Sequence, residues 1–256
     1  MRQRIRGFRQ CKTIATTTIS LLKNHGCISY LDFNVGRVLD ALEKSGMRDS
    51  TLVVFTSDHG DNLGARRLYG KSNMYQEASH IPMIVAGPGV AEGHVSHTPV
   101  SLLDIAPTML DAAEHDDQSL LAALPGESLI SLSKTSDNAQ RVVFCEYYAA
   151  AADRAAFMLR QGRYKYIHYV GYEPELFDLT SDPEELHSLA DDKAYATVVA
   201  GYAARLRTIV DPELADDAAY RAQTALVDAN GGRDTLIARG KYNGTPAPGQ
   251  PLLYDQ

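Results

Sequence analysis

Cysteine, long apolar runs and concentrated positive charge are all scarce in this 256-residue chain. The three cysteines, Cys11, Cys27 and Cys145, form no CxxC pair and no even-numbered framework. Neither a zinc cluster nor a disulfide scaffold is therefore expected, and a reducing, cytoplasmic setting is the simpler reading. No apolar run approaches the length needed to cross a bilayer, so no membrane partner is expected. A formal charge of −7 and a pI near 5.6 exclude the concentrated basic face of a nucleic-acid binder. Acidic residues are absent from positions 1–31, which carry Arg2, Arg4, Arg6, Arg9, Lys12 and Lys23. That composition is similar to a targeting segment, but Thr16, Thr17, Thr18 and Ser20 interrupt its apolar stretch and no small-x-small site follows. Residues 1–25 are read as an atypical basic segment with a truncated or misread start.

What is present is enough for a substantial core, since 45% of the residues are hydrophobic. From Ile28 the apolar positions Leu31, Val35, Val38, Leu39 and Leu42 recur at helical spacing, predicting an amphipathic helix that ends near Gly46. Thr51 to Phe55 is a continuous β-favouring run with no polar alternation, the pattern of a strand covered on both faces in a parallel sheet. A polar loop over 60–80 and a second buried run, Ile81 to Ala86, follow. Asp104 is the expected N-cap of a helix with Pro107 in its first turn. Beyond the Ser-rich stretch 128–140, the segments 141–147, 155–160 and 163–170, with a Gln161-Gly162 turn, predict a small antiparallel sheet. Asp182-Pro183-Glu184-Glu185 carries a helix-start signature. Further helices are expected over 193–210 and 216–229. The end of the chain, with Pro246, Pro248 and Pro251, should be an extended tail.

Chemistry concentrates where the first strand ends, because reactive groups in open α/β sheets gather beyond the strand carboxyl ends. Asp58 offers a hard oxygen ligand suited to calcium or magnesium, and His59 can bind a metal or an anion. Two such residues do not complete a site. Lys71, thirteen positions after Asp58, can fold back to stabilise an anion or a leaving oxygen. The plainer alternatives are a capped turn and a solvated lysine, and these residues alone do not exclude them.

The string TSDHGDNLGARRLYGKSNMYQEASHIPMIVAGPG resembles the second metal-binding segment of type I sulfatases, within the alkaline-phosphatase superfamily. Upstream, SYLDFNVGRVLDALEKSGMRDSTLVVF resembles the preceding helix-strand unit, with Phe33 where the family often has aspartate. Downstream, PVSLLDIAPTML and GRYKYIHYVGYEPELFDLTSDPEELHSLA resemble the following helix and a small carboxy-terminal subdomain. The likeness covers about residues 26–190, and its texture is similar to choline-sulfatase-like and arylsulfatase-like members.

The resemblance implies an α/β fold: part of an alkaline-phosphatase-like sheet with flanking helices over 26–140, then a small α+β subdomain with an antiparallel sheet over 141–240 and the tail over 241–256. It implies Asp58 as a ligand of a divalent cation, calcium first, with magnesium or manganese as alternatives. His59 becomes a ligand or sulfate contact, Lys71 a sulfate contact that helps the alcohol leave, and His80, where relatives often have arginine, a candidate substrate contact. Asp61 and Asn62 are expected to stabilise the loop. The expected reaction is hydrolysis of a small sulfate monoester. Tyr147, Tyr148, Tyr164, Tyr166, Tyr169 and Tyr172 admit a cation–π cage for a quaternary ammonium, but sheet packing of tyrosines at strand spacing is the favoured reading.

The family's nucleophile is a cysteine or serine in C/S-x-P-x-R, converted to formylglycine. No cysteine or serine of this chain lies in that pattern. The paired aspartates of the family's first strand are missing as well. The chain alone is therefore expected to be inactive and, through an open hydrophobic sheet edge, to form a homo-oligomer. Phosphate or phosphonate ester hydrolysis and a non-catalytic interaction module remain the alternatives.

Overall fold

The structure, a computed structural model, describes residues 14–114, 118–149, 152–242 and 254–255. Residues 1–13 of the basic segment and 243–253 of the proline-containing tail lie outside them. The chain divides into two compact units, Met1–Leu206 and Arg207–Gln256.

In the first unit, helix α1 (Ile14–Lys44) starts well before Ile28, so residues 14–25 continue the same helix. Ile28, Leu31, Val38 and Leu39 of its apolar stripe are exposed. No helix among the described residues is long and apolar enough to cross a membrane. Strand β1 (Val53–Thr56) pairs with β2 (Met83–Ala86), in register from Val53↔Ala86 to Thr56↔Met83. The pairing is antiparallel, which corrects the parallel reading. Unbroken Val/Ile runs signal coverage on two faces but carry no strand direction. The short helix α2 (Gln76–Ser79) lies in the long connection between these strands.

Helix α3 (Ile105–Ala112) holds Pro107 buried in its first turn, as expected. The capping role assigned to Asp104 belongs to Ser101. The Ser101 hydroxyl accepts from the Leu103 amide (3.2 Å), while Asp104 accepts from the Ser101 amide (2.8 Å), a reciprocal box around a 3-10 turn. Asp104 is fully buried and also receives both terminal nitrogens of Arg141. Two short helices, α4 (Gln118–Ala123) and α5 (Leu129–Leu132), follow.

The predicted antiparallel sheet gains a fourth strand. Its members are β3 (Val143–Tyr147), β4 (Ala156–Gln161), β5 (Tyr164–Tyr169) and β6 (Glu175–Asp178), in sequential order. Alternation sorts its two faces. The register places Cys145, Met158, Ile167 and Glu175 side by side, with Lys165 opposite Phe177 on the same face. That face packs on Met74, only 2% exposed, from the β1–β2 connection. The opposite face carries Phe157, Leu159, Tyr166 and Leu176, and Tyr166 meets Tyr202 of helix α6 (Ala196–Arg207) with ring centroids 6.0 Å apart. No helix starts at Asp182. Glu185 takes a left-handed φ of 52° and turns inward, and the Asp182 carboxylate instead accepts from the Leu186 and His187 amides.

In the second unit, α7 (Pro212–Ala229) is capped by Asp211, whose side chain accepts from the Leu214 amide at 3.0 Å, with proline at the helix start. Helix α8 (Gly232–Ala238) and a two-residue ladder between β7 (Lys241–Tyr242) and β8 (Tyr254–Asp255) complete it.

Two predictions follow from this packing. Arg163 donates to both Asp178 oxygens, and with Ser181 and the Thr180 amide it outweighs desolvation and holds that carboxyl down at about 2. The folded-state value lies below the ordinary 3.8, so its contribution is complete above about pH 4 and is lost as pH falls toward 2. Arg163→Ala is expected to move the acid-unfolding midpoint to higher pH, as read by circular dichroism. At Gly60, a Cβ would lie 2.0 Å from the Glu77 carbonyl oxygen. Gly60→Ala should cost about 1–3 kcal/mol in a denaturant titration. Gly36→Ala, with nothing within 4 Å of the added carbon, should be neutral or mildly stabilising.

Candidate active site

The segment after β1 begins with Ser57-Asp58-His59-Gly60, and its backbone folds back onto α2. The Gly60 amide donates to the Ala78 carbonyl at 2.9 Å, and the Ser57 hydroxyl donates to the His59 carbonyl at 2.8 Å. The Asp58 carboxylate accepts from the His59 amide at 3.0 Å, which turns its other oxygen to within 3.2 Å of His59 Nε2. Lys71 Nζ meets that same Nε2. The three residues singled out from the sequence therefore converge, with the Asp58 side chain 81% and the His59 side chain 37% exposed.

Hydrogen bonding fixes the imidazole's direction. His59 Nδ1 lies 2.9 Å from the Gly60 carbonyl, which can only accept, so Nδ1 carries the proton. Nε2 is then left facing Lys71 Nζ and Asp58 Oδ2. Desolvation works to raise the Asp58 carboxyl but is outweighed by His59, by the Asp58 and His59 backbone amides and by Lys71, so it sits below the ordinary carboxylate value.

Asp58 Oδ2 and His59 Nε2 are spaced as neighbouring donors on one cation, whose bonds to such atoms run about 2.0–2.6 Å. They fit a share of a divalent cation's shell. No cluster of three or more His, Cys, Asp or Glu side chains able to hold a metal occurs among the described residues. A hard cation needs about six to eight oxygens, so further groups must complete this one.

The loop that presents Lys71 is tightly organised. Asp61 accepts from the Leu63 amide (2.8 Å) and the Gly70 amide (3.3 Å), and buried Asn62 donates through its backbone (2.8 Å) and side chain to the Gly70 carbonyl. Both thus bind the loop. Leu63, Arg66 and Arg67 adopt left-handed backbone angles there. His80 is exposed at the end of α2, and no hydrogen bond joins its ring to Asp58, His59 or Lys71.

The tyrosines divide between the sheet's faces. Tyr166 packs on Tyr202, whereas Tyr169 and Tyr75 both donate to the Glu175 carboxylate, at 2.9 and 3.0 Å. They form no single cage. Sequence reasoning missed Arg66, Lys165 and Glu185, which support the loop from behind. A lysine at a core-facing position of the alternating Tyr-Lys-Tyr-Ile-His-Tyr strand was the available signal.

A family model described as Sulfatase matches residues 9–115, and one described as N-sulphoglucosamine sulphohydrolase, C-terminal, matches residues 64–211. A choline-sulfatase of Rhizobium meliloti (strain 1021) is 40% identical over 166 residues, covering 64% of this chain and 32% of that protein. A solved 2-O GAG sulfatase, BT1596, is 30% identical with a TM-score of 0.63, covering 75% of this chain and 42% of its own. The phosphonate monoester hydrolase of Agrobacterium radiobacter is 29% identical with a TM-score of 0.60, covering 71% and 39%. The chain spans about a third of the length of the curated relatives it matches. With its α/β architecture of two- and four-stranded antiparallel sheets, the chain belongs to the sulfatase family and corresponds to the carboxy-terminal portion of its members.

Proposed function

We propose that this chain supplies the leaving-group side, and part of the metal-binding side, of a site that hydrolyses a small sulfate monoester. The convergence of Lys71 Nζ on His59 Nε2, 3.2 Å from an Asp58 oxygen, carries the reading. Family membership and the likeness to a choline-sulfatase support the reaction class. The family's chemistry needs a divalent cation, calcium in the first instance, to neutralise the sulfate oxygens, and a formylglycine hydrate to attack sulfur. Asp58 would hold the cation, and His59 Nε2 would either share in holding it or keep Lys71 in place. The formylglycine would come from polypeptide outside these 256 residues, because no C/S-x-P-x-R occurs within them.

Lys71 has the distinct task. As the sulfur–oxygen bond breaks, negative charge grows on the departing alcohol oxygen, and an ammonium there stabilises it and gives it a proton. Gly60 contributes by accepting from Nδ1–H of His59, which fixes the ring so that Nε2 faces Lys71.

A second reading, phosphonate or phosphate monoester hydrolysis, is favoured by the likeness to the Agrobacterium hydrolase. Side-by-side rates on a sulfate and a phosphonate ester, in enzyme reconstituted with a formylglycine-bearing partner segment, separate the two: faster phosphonate turnover would favour the rival.

In that reconstituted enzyme, Lys71→Ala should lower kcat by about 10²–10³ for an alkyl sulfate and much less for 4-nitrophenyl sulfate, whose leaving group needs little help. Equal losses on both substrates would remove Lys71 from leaving-group assistance. The 256-residue chain alone should show no turnover. In a calorimetric calcium titration, Asp58→Asn should abolish the weak binding expected of an incomplete shell, and unchanged heats would take Asp58 out of the cation site.

A further inference from the structure

Behind the loop lies a pair of opposite charges withdrawn from water. Lys165 on β5 and Glu185 beyond β6 are 1% and 0% exposed at their side chains, with Nζ 2.8 Å from Oε1. Such a pair is a poor device for stability, because desolvating two ions offsets most of their attraction and an apolar pair of similar volume is often as good. Its remaining atoms point to another purpose.

All of them reach α2. Glu185 Oε2 accepts from the Gln76 amide at 2.6 Å, at the start of a helical turn for which Tyr75 supplies no side-chain cap. Lys165 Nζ donates to Gln76 Oε1 at 3.1 Å and to the Ser79 hydroxyl at 3.2 Å. Helix α2 in turn holds the site, since its Ala78 carbonyl takes the Gly60 amide and its Glu77 carbonyl leaves no room for a Cβ at Gly60. The Gly60 carbonyl then fixes the proton on His59 Nδ1, and His59 Nε2 receives Lys71. Arg66 ties the same elements a second time. Its guanidinium pairs with Glu77, donates to the Glu184 carbonyl at 2.5 Å and lies 4.2 Å from the Tyr75 ring centroid. Arg66 and Glu185 both hold left-handed backbone angles, 50° and 52°, a conformation that persists where surrounding contacts over-determine it.

We propose that Lys165 and Glu185 are positioning residues for the Asp58–His59–Lys71 site, orienting α2 so that Gly60 sets the direction of the His59 ring and Lys71 is presented to it. Their meaning for catalysis rests on the sulfate-ester reading above, but their effect on the site is measurable without turnover.

Two variants of the 256-residue chain test this. Lys165→Met with Glu185→Leu replaces the pair by apolar side chains, and Gln76→Pro keeps the pair but removes both of its links to Gln76, at a first helical position that tolerates proline. Expected is near-wild-type thermal unfolding for the double variant and a lowered melting temperature for folded Gln76→Pro, where Glu185 Oε2 loses its donor, and in each a roughly tenfold or greater loss of hydrogen-exchange protection at the Gly60 amide. The ¹⁵N shifts of the His59 imidazole should also move away from the Nδ1–H form. Should the double variant fail to fold, Gln76→Pro decides. Folded Gln76→Pro protein with unchanged Gly60 protection and an unchanged His59 tautomer would overturn the proposal and leave a purely structural ion pair. These readouts do not depend on the rate comparison, so failure of the functional reading and failure of the positioning role are distinguishable.

Discussion

The hydrogen bond from the Gly60 amide to the Ala78 carbonyl closes the segment that carries Asp58, His59 and Lys71. One end of that segment is anchored by β1 and the other by β2, while Met74 inserts into the core of the four-stranded sheet. A loop this polar has few apolar contacts of its own with which to hold a shape, and ordering it costs conformational entropy. The close backbone approach at Gly60 and the plug at Met74 supply the missing constraint. The site is thereby assembled on one strand end but braced by a sheet almost a hundred residues further along the chain.

That bracing is done with charge rather than with apolar packing alone. Asp104 with Arg141 and Glu185 with Lys165 are buried pairs between elements, and Glu77 with Arg66 ties the loop to α2. Burial depresses the Lys165 ammonium below its ordinary value, opposed by Glu185, and raises the Glu175 carboxyl despite the two tyrosine hydroxyls that donate to it. Groups under that penalty are fixed in direction, because any rotation that loses a partner exposes the full cost of an unpaired buried charge. Apolar contacts set distance; these pairs also set orientation, which a reacting group requires.

The sequence announced what is local. Asp58 and His59 stand directly after a β-favouring run, Lys71 closes the loop that follows, and alternation predicted three strands of the second sheet. Strand direction was not legible, because an apolar run looks alike in either sense. At Asp104, the true cap lay three residues upstream and the carboxylate was drawn to Arg141, thirty-seven positions away. The helix signature at Asp182 failed for a similar reason, since the glutamate that completes a capping box was recruited by Lys165. Both capping misses are local propensities overridden by a distant charge.

The same logic ranks the site residues. His59 Nε2 has room for one partner in the ring's plane, and in this structure Lys71 Nζ faces it. It can serve a cation or the ammonium, but not both at once. The Asp58 carboxylate has several lone pairs, of which the His59 amide and the Ser57 hydroxyl each take one, and is mostly open to solvent. Asp58 thus keeps oxygen lone pairs for a ligand, whereas His59 joins the metal-binding and leaving-group sides of the site. Whatever fixes the His59 ring therefore governs both sides together, and in this fold that task falls to Gly60 and the helix behind it.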